Sequence, residues 1–169
     1  RSVLGVPGRF ERVSCAQNFS VVVDYAHTDE ALRNVLRAAR GFTSGRVITV
    51  FGCGGDRDIG KRKEMGRVAI EESGFSVITS DNPRTENPQC IVDDILKGVP
   101  SSACQGKDYE IIIDRREAIR FAVEKAKPGD LVMIAGKGHE KFQVFKTGSI
   151  HFDDREIAEE AVKGVSKGD

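Results

Sequence analysis

Five short runs of β-branched and apolar residues recur along the chain, at positions 20–24, 46–51, 75–79, 110–113 and 131–135. They are nearly continuous in apolar residues, the mark of strands buried on both faces. Between them apolar positions recur with a period near 3.6. Leu32, Val35, Leu36 and Ala39 share one helical face. Met65, Val68 and Ala69 share a second, with Glu72 at its exposed edge. Ile91, Val92, Ile95 and Leu96 form a third stripe, and Ile119, Ala122, Val123 and Ala126 a fourth. Cap signals agree: Thr28 precedes Asp29 and Glu30, Asn87 precedes Pro88, and the pairs Asp114/Glu117 and Asp153/Glu156 have capping-box spacing. The alternation predicts an α/β fold, a Rossmann-like and mostly parallel sheet with helices on both faces and right-handed crossovers.

The tail breaks the alternation. Segments 142–146 and 149–152 flank Thr147-Gly148 and read as a β-hairpin that adds an antiparallel edge, followed by a helix over 154–165. At the other end, "GVPGRFERV" (5–13) reads as a lead-in to the first strand. With 169 residues and no repeat or low-complexity linker, one domain over 1–169 is expected. The chain starts at Arg1, which fits either a piece of a longer protein or processing.

Composition narrows the function. Lys plus Arg and Asp plus Glu number 26 each, and this zero balance argues against nucleic acid as the main ligand. No apolar run reaches the roughly 18 residues of a membrane helix, and residues 1–20 have no signal-peptide core. A cytoplasmic protein with no membrane partner is expected. Cys15, Cys53, Cys90 and Cys104 form no C-x-x-C pair and suit no zinc site, so they read as reduced thiols.

Each expected parallel strand runs into a loop of unusual chemistry: "DYAHT", "GCGGDRDIGKR", "SDNPR", "DRRE" and "GKGHE". In an open parallel sheet, ligands bind beyond the carboxyl ends of the strands, so these loops should share one rim. Gly55-x-x-x-x-Gly60-Lys61 nearly matches a P-loop, but Arg62 stands where the Mg²⁺-binding hydroxyl belongs. The glycines there are expected to turn the backbone tightly and let it approach a ligand. Arg57 either points into the rim or pairs with Asp56 or Asp58. In "GKGHE", Glu140 suits an amine and His139 can titrate near neutrality, unless the segment is only a solvated turn. Asp24 suits a ribose hydroxyl with His27 facing the same ligand; equally, Asp24 can cap and His27 can pack. No Ser/His/Asp set and no metal cluster can be assembled from spacing. "SDNPRTENP" (80–88) poses its own question, because Asn82-Pro83 starts no helix yet stiffens a loop that carries Arg84.

Taken together and in order, "VVVDYAHT", "FGCGGDRDIGKR", "SDNPRTENP" and "AGKGHEKFQ" resemble the C-terminal domain of the Mur ligases, in particular the diaminopimelate-adding type, over nearly the whole chain. One departure is Asp29, where the family usually has proline. The resemblance implies ATP-dependent amide formation, in which the carboxylate of UDP-MurNAc-dipeptide is activated and the amine of meso-diaminopimelate attacks it. It implies that residues 1–13 lead in from a missing central domain, which would carry the P-loop, the Mg²⁺ ligands and a modified lysine, and that a missing N-terminal domain of the same protein holds the nucleotide sugar. Isolated, the chain should not turn over. Carried over by motif, Arg57, Asp81, Asn82, Pro83, Arg84, Gly136 and Glu140 would receive meso-diaminopimelate. Arg84 would clamp its distal carboxylate, Arg57 would contact a carboxylate and Glu140 would meet the ammonium. Arg9, Asp24 and His27 would meet ATP. The alternatives are a folylpolyglutamate synthetase-like ligase domain, a binding module without chemistry, and, last, a dehydrogenase, which lacks its G-x-G-x-x-G after the first strand.

Overall fold

The structure is a computed structural model and describes residues 6–14 and 17–167. Cys15 and residues 1–5 lie outside the described residues. In chain order the elements are β1 (Glu11–Arg12), β2 (Ser20–Asp24), α1 (Asp29–Arg40), β3 (Val47–Phe51), α2 (Gly60–Glu72), β4 (Phe75–Ile78), α3 (Pro88–Leu96), β5 (Tyr109–Ile111), α4 (Arg115–Lys125), β6 (Leu131–Ala135), β7 (Phe142–Phe145), β8 (Gly148–His151) and α5 (Asp154–Ser166).

The large sheet has the order β1-β2-β6-β3-β4-β5. Only β1 runs antiparallel, paired with β2, and the other neighbours are parallel. The chain steps outward through β3, β4 and β5, then returns to place β6 between β2 and β3. Crossovers of one hand put the outward helices on one face and the returning helix on the other. That is the arrangement of the two cores. Leu32 and Leu36 of α1, Met65 and Val68 of α2, and Ile91 and Ile95 of α3 pack with Val22, Phe51 and Met133. Ile119 and Val123 of α4 and Ile157 and Val162 of α5 pack with Val21, Val23, Ile48, Val132 and Ile134 on the opposite face. Adjacent strand residues such as Val21 and Val22 fall in different cores because side chains alternate along a strand. Each large side chain so buried contributes roughly 1.5–3 kcal/mol.

Local signals set the helix starts. Thr28 accepts from Ala31 N, Asn87 from Gln89 N with Pro88 at the first position, Asp114 from Glu117 N and Asp153 from Arg155 N. Three expectations need correction. Glu72 is not at an exposed edge; it is 5% exposed and receives Arg33, Arg37 and Arg40 at 2.9, 3.2 and 2.9 Å. Periodicity within α2 could not register it, because all three arginines come from α1. The hairpin turn is Lys146-Thr147 rather than Thr147-Gly148. Gly148 opens β8 opposite Phe145, with a φ of 131° that favours glycine. The hairpin is antiparallel as expected but forms a sheet of its own, and the antiparallel edge of the large sheet is β1, within the lead-in segment. A single parallel bridge, Arg84 to Phe145, joins the hairpin to the loop after β4. No described helix is long and apolar enough to cross a membrane.

Candidate functional site

Parallel register brings the strand ends together. Asp24 lies beside Ala135 and Phe51 beside Ile78, so the loops that follow leave the sheet along one edge. There they enclose a cleft of about 460 Å³ whose walls include Arg57, Asp81, Asn82, Arg84, Gly136 and Glu140. Pro83 is absent from the wall; it is buried and turned against the glycine loop. A second cleft of about 430 Å³ is lined by Arg9, Asp24 and His27, with Ala31, Asn34 and Val35 of α1. Tyr25 and His27 border both clefts. The residues expected at an amino acid and those expected at a nucleotide thus sit in two adjoining spaces.

The glycines of "GCGGDRD" are closely packed. A Cβ on Gly52 would lie 2.3 Å from Thr79 O, and one on Gly55 would lie 1.8 Å from Pro83 O. Gly55 N donates to Asn82 O at 2.8 Å. These two glycines therefore admit the neighbouring loop, and Gly52 also lines the cleft. Gly54 sits between the two cleft arginines, its Cβ position 2.8 Å from Arg84 Nη1 and 3.7 Å from Arg57 Cγ. Arg84 itself has a φ of 52°, a left-handed conformation that costs a non-glycine residue about 1–3 kcal/mol. The surroundings hold it there: Arg84 N donates to Val144 O at 2.9 Å and Arg84 Nη1 to Gly55 O at 2.9 Å.

Asn82 is the hub of this rim. Its Oδ1 accepts from Lys137 Nζ and Val144 N, both at 3.0 Å, and its Nδ2 donates to Glu140 Oε2 at 3.4 Å. Gln143 Nε2 donates to Asp81 O at 2.8 Å, and the Asp81 carboxylate lies against Gly136, 2.6 Å from where a Cβ would stand. Beneath, the buried Arg115 makes a two-pronged pair with Asp154, at 2.8 and 2.7 Å. It also donates to Ser80 O and Ala135 O, so one guanidinium grips the chain just after β4 and the last residue of β6. Burial works against the Arg115 charge, but Asp154 outweighs it and holds the group above its ordinary value. Reasoning from sequence missed Lys137, Arg115 and Asp154 as parts of the site. The "DRRE" loop was the only signal for Arg115; nothing local tied it to Asp154, 39 residues on.

Arg57 is exposed and donates to Asp56 O at 3.0 Å, and it makes no ion pair among the described residues. Asp56 and Asp58 are engaged elsewhere: Asp56 bonds Thr85 and Asp58 receives Gly60 N. Arg62, in the P-loop-like stretch, is 1% exposed. It pairs with Glu86 at 2.8 Å and Asp94 at 3.1 Å, while Lys61 Nζ donates to His27 O at 2.8 Å. Arg62 and Lys61 are therefore committed to internal bonds. Asp24 Oδ2 accepts from Phe10 N at 2.8 Å and Oδ1 from Ala26 N at 2.7 Å. Asp24 thus ties the lead-in to its own loop rather than capping α1, whose cap is Thr28, and it keeps lone pairs to spare on both oxygens. His27 Nδ1 contacts Tyr25 O at 2.8 Å, and its ring packs on Tyr25 edge-to-face. Exposed Arg9 lies 5.8 Å from the Tyr25 ring centroid. His151 pairs with Glu156 on the hairpin side. Among the described residues no three His, Cys, Asp or Glu are arranged to hold a metal ion.

Cys53 lines the cleft, but burial pushes its thiol up to about 12, with Lys61 opposing weakly. Little thiolate forms at neutral pH. A thiol reagent at about pH 8 should therefore modify the exposed Cys90 and Cys104 while leaving Cys53 intact in peptide mass maps; fast labelling of Cys53 in the folded protein would contradict this.

The family described as "Mur ligase, glutamate ligase domain" matches residues 8–138. UDP-N-acetylmuramoyl-L-alanyl-D-glutamate–2,6-diaminopimelate ligase of Gloeobacter violaceus is 57% identical over 166 residues, covering 97% of this chain and 33% of the relative. A solved structure of a ligase of that name superposes with a TM-score of 0.88 at 42% identity, over 97% of this chain and 33% of the other. A bifunctional folylpolyglutamate synthase/dihydrofolate synthase from Yersinia pestis, solved with AMPPNP and Mn, shares the fold at a TM-score of 0.60 and 19% identity, covering 97% of this chain and 32% of the other. The chain spans about a third of the length of the curated relatives it matches.

Proposed function

The chain belongs to the Mur ligase family, as a glutamate ligase domain, and from that premise we propose that it is the amino-acid-receiving domain of a longer ligase. The proposed reaction joins meso-diaminopimelate to UDP-MurNAc-L-Ala-D-Glu with conversion of ATP to ADP and phosphate. The single observation that carries this reading is that Arg57, Arg84 and Glu140 line one cleft. Two guanidinium groups and a carboxylate suit the zwitterionic end of a diamino diacid. Lysine has the same chain without the second carboxylate, so a forked arginine is the natural discriminator.

In this reading Arg84 and Arg57 bind the distal carboxylate and Glu140 the ammonium beside it, which leaves the opposite amine free to reach the activated acyl group. Loop order matters because a fork already held in place need not be ordered on binding. The second cleft fits a nucleotide: Arg9 supplies a cation, Asp24 an oriented carboxylate with spare acceptor capacity, and Ala31 and Val35 an apolar wall. ATP, when bound, supplies the phosphoryl group that activates the carboxylate. Mg²⁺ ligands, the true P-loop and the nucleotide-sugar site are assigned to the remaining domains, and residues 1–13 to the lead-in from them. Closure of those domains over this one would shield the activated carboxylate from water. By itself the chain should bind but not turn over. The proposed setting is the cytoplasm, in keeping with the free thiols at Cys53, Cys90 and Cys104.

The test is a competition in the full-length protein, with ATP and UDP-MurNAc-L-Ala-D-Glu. Diaminopimelate should support ADP release with a kcat/KM about 30-fold or more above that of lysine, the discrimination expected of a paired buried charge. Faster use of glutamate with a folate acceptor would favour the folylpolyglutamate synthetase-like alternative instead.

A further inference from the structure

Lys137 lines neither cleft, yet it is 0% exposed, and a buried ammonium is costly unless its donors are satisfied. Its Nζ donates to Asn82 Oδ1 at 3.0 Å and to Phe142 O at 2.6 Å. Val144 N donates to the same Asn82 oxygen at 3.0 Å. An ammonium and a peptide N–H can only donate, so together they fix which end of the Asn82 carboxamide is oxygen. The NH₂ end is then turned to Glu140, with Nδ2 3.4 Å from Oε2. Glu140 is tied to the same lysine through the backbone, its N donating to Lys137 O at 3.0 Å. Burial draws the Lys137 ammonium below its ordinary value; Asp81, Glu140 and Asp154 act against that and Arg115 acts with it.

Resting on the reading that this cleft takes the amino acid, we propose that Lys137 is a positioning residue that acts through the Asn82 carboxamide to hold the Glu140 carboxylate where the incoming ammonium meets it. A methionine at 137 would fill much of the same space but leave Val144 N as the one remaining donor to the Asn82 oxygen, so the carboxamide is held less firmly against rotation. Its oxygen could then face Glu140, setting acceptor against acceptor.

The experiment compares Lys137→Met and Lys137→Gln with the wild type in the full-length protein. The first readout needs no substrate. With asparagine-selective ¹⁵N labelling, the Asn82 side-chain NH₂ should be one slowly exchanging pair in the wild type. It should shift and exchange with water faster in Lys137→Met. The second readout is kinetic: KM for diaminopimelate should rise about tenfold or more, the loss expected for a hydrogen bond to a charged group, while KM for ATP and kcat stay within about twofold. Lys137→Gln, which still donates an N–H, should fall between. An unmoved Asn82 resonance in Lys137→Met, or amino-acid and ATP constants that worsen in proportion, overturns the proposal. So does failure of both variants to fold, which would make Lys137 a residue of the fold alone. If the wild type takes no diaminopimelate, the functional reading fails, while the amide readout still decides whether Lys137 sets Asn82.

Discussion

Replacing Arg84 with alanine in the full-length protein is expected to lower kcat/KM for meso-diaminopimelate by roughly 30-fold to several thousand-fold, with KM for ATP nearly unchanged. The range is the cost of truncating one partner of a buried, hydrogen-bonded charge pair, about 2–5 kcal/mol. Two other consequences of the change are smaller or cancel. The charge-assisted bond from Arg84 Nη1 to Gly55 O is lost, at about 1.5–3 kcal/mol, but that loss weighs equally on diaminopimelate and lysine. The left-handed backbone at 84 strains alanine as it strains arginine, so no relief offsets the loss. Arg84→Lys keeps the charge and loses the fork, and should recover only part of the rate. Steady-state ADP release with diaminopimelate and with lysine is the measurement. If the preference between the two amino acids stays as in the wild type, Arg84 is not the discriminator.

The largest stability effect is expected at the base of the rim. Arg115→Ala or Asp154→Ala should cost about 3–5 kcal/mol, because each leaves the other charge buried without its partner. Both side chains have 0% exposure, so solvent cannot take the partner's place. For a chain of this size that corresponds to a fall in Tm of roughly 10 °C. The two variants should differ in a second respect. Arg115→Ala also strips donors from Ser80 O and Ala135 O, the anchor points of "SDNPR" and "GKGHE", and should loosen the cleft as well as the fold. Asp154→Ala leaves those two bonds possible. Calorimetric melts paired with diaminopimelate titrations resolve the two effects, and a Tm within about 2 °C of wild type in both variants would contradict the assigned role.

Much of the architecture is legible where the signal is local. β2 and β6 appear at the residues that their apolar runs mark, and Thr28, Asn87, Asp114 and Asp153 cap as their types demand. β1 escaped notice because two residues carry no period. The reading of Thr147-Gly148 as the turn is off by one residue, because Gly148 and its positive φ belong to the first position of β8. The rim was legible for a topological reason: parallel strands deliver their following loops to one edge, whatever the distance in sequence. Motifs could name the residues displayed there, Arg57, Arg84 and Glu140. They could not name what holds the display. Glu72, Arg115 and Lys137 each find their partners on other elements, and a charged residue destined for burial looks in sequence like one destined for water. Gly52 and Gly55 show the same, since what they make room for is the backbone of another loop.

The most direct test is a crystal structure of the full-length protein with meso-diaminopimelate. The expected result has the distal carboxylate on the guanidinium groups of Arg57 and Arg84 and the neighbouring ammonium on Glu140, with the Asn82 amide still facing Glu140. Diaminopimelate bound outside this cleft, or seated in it with its carboxylate away from both arginines, would contradict it.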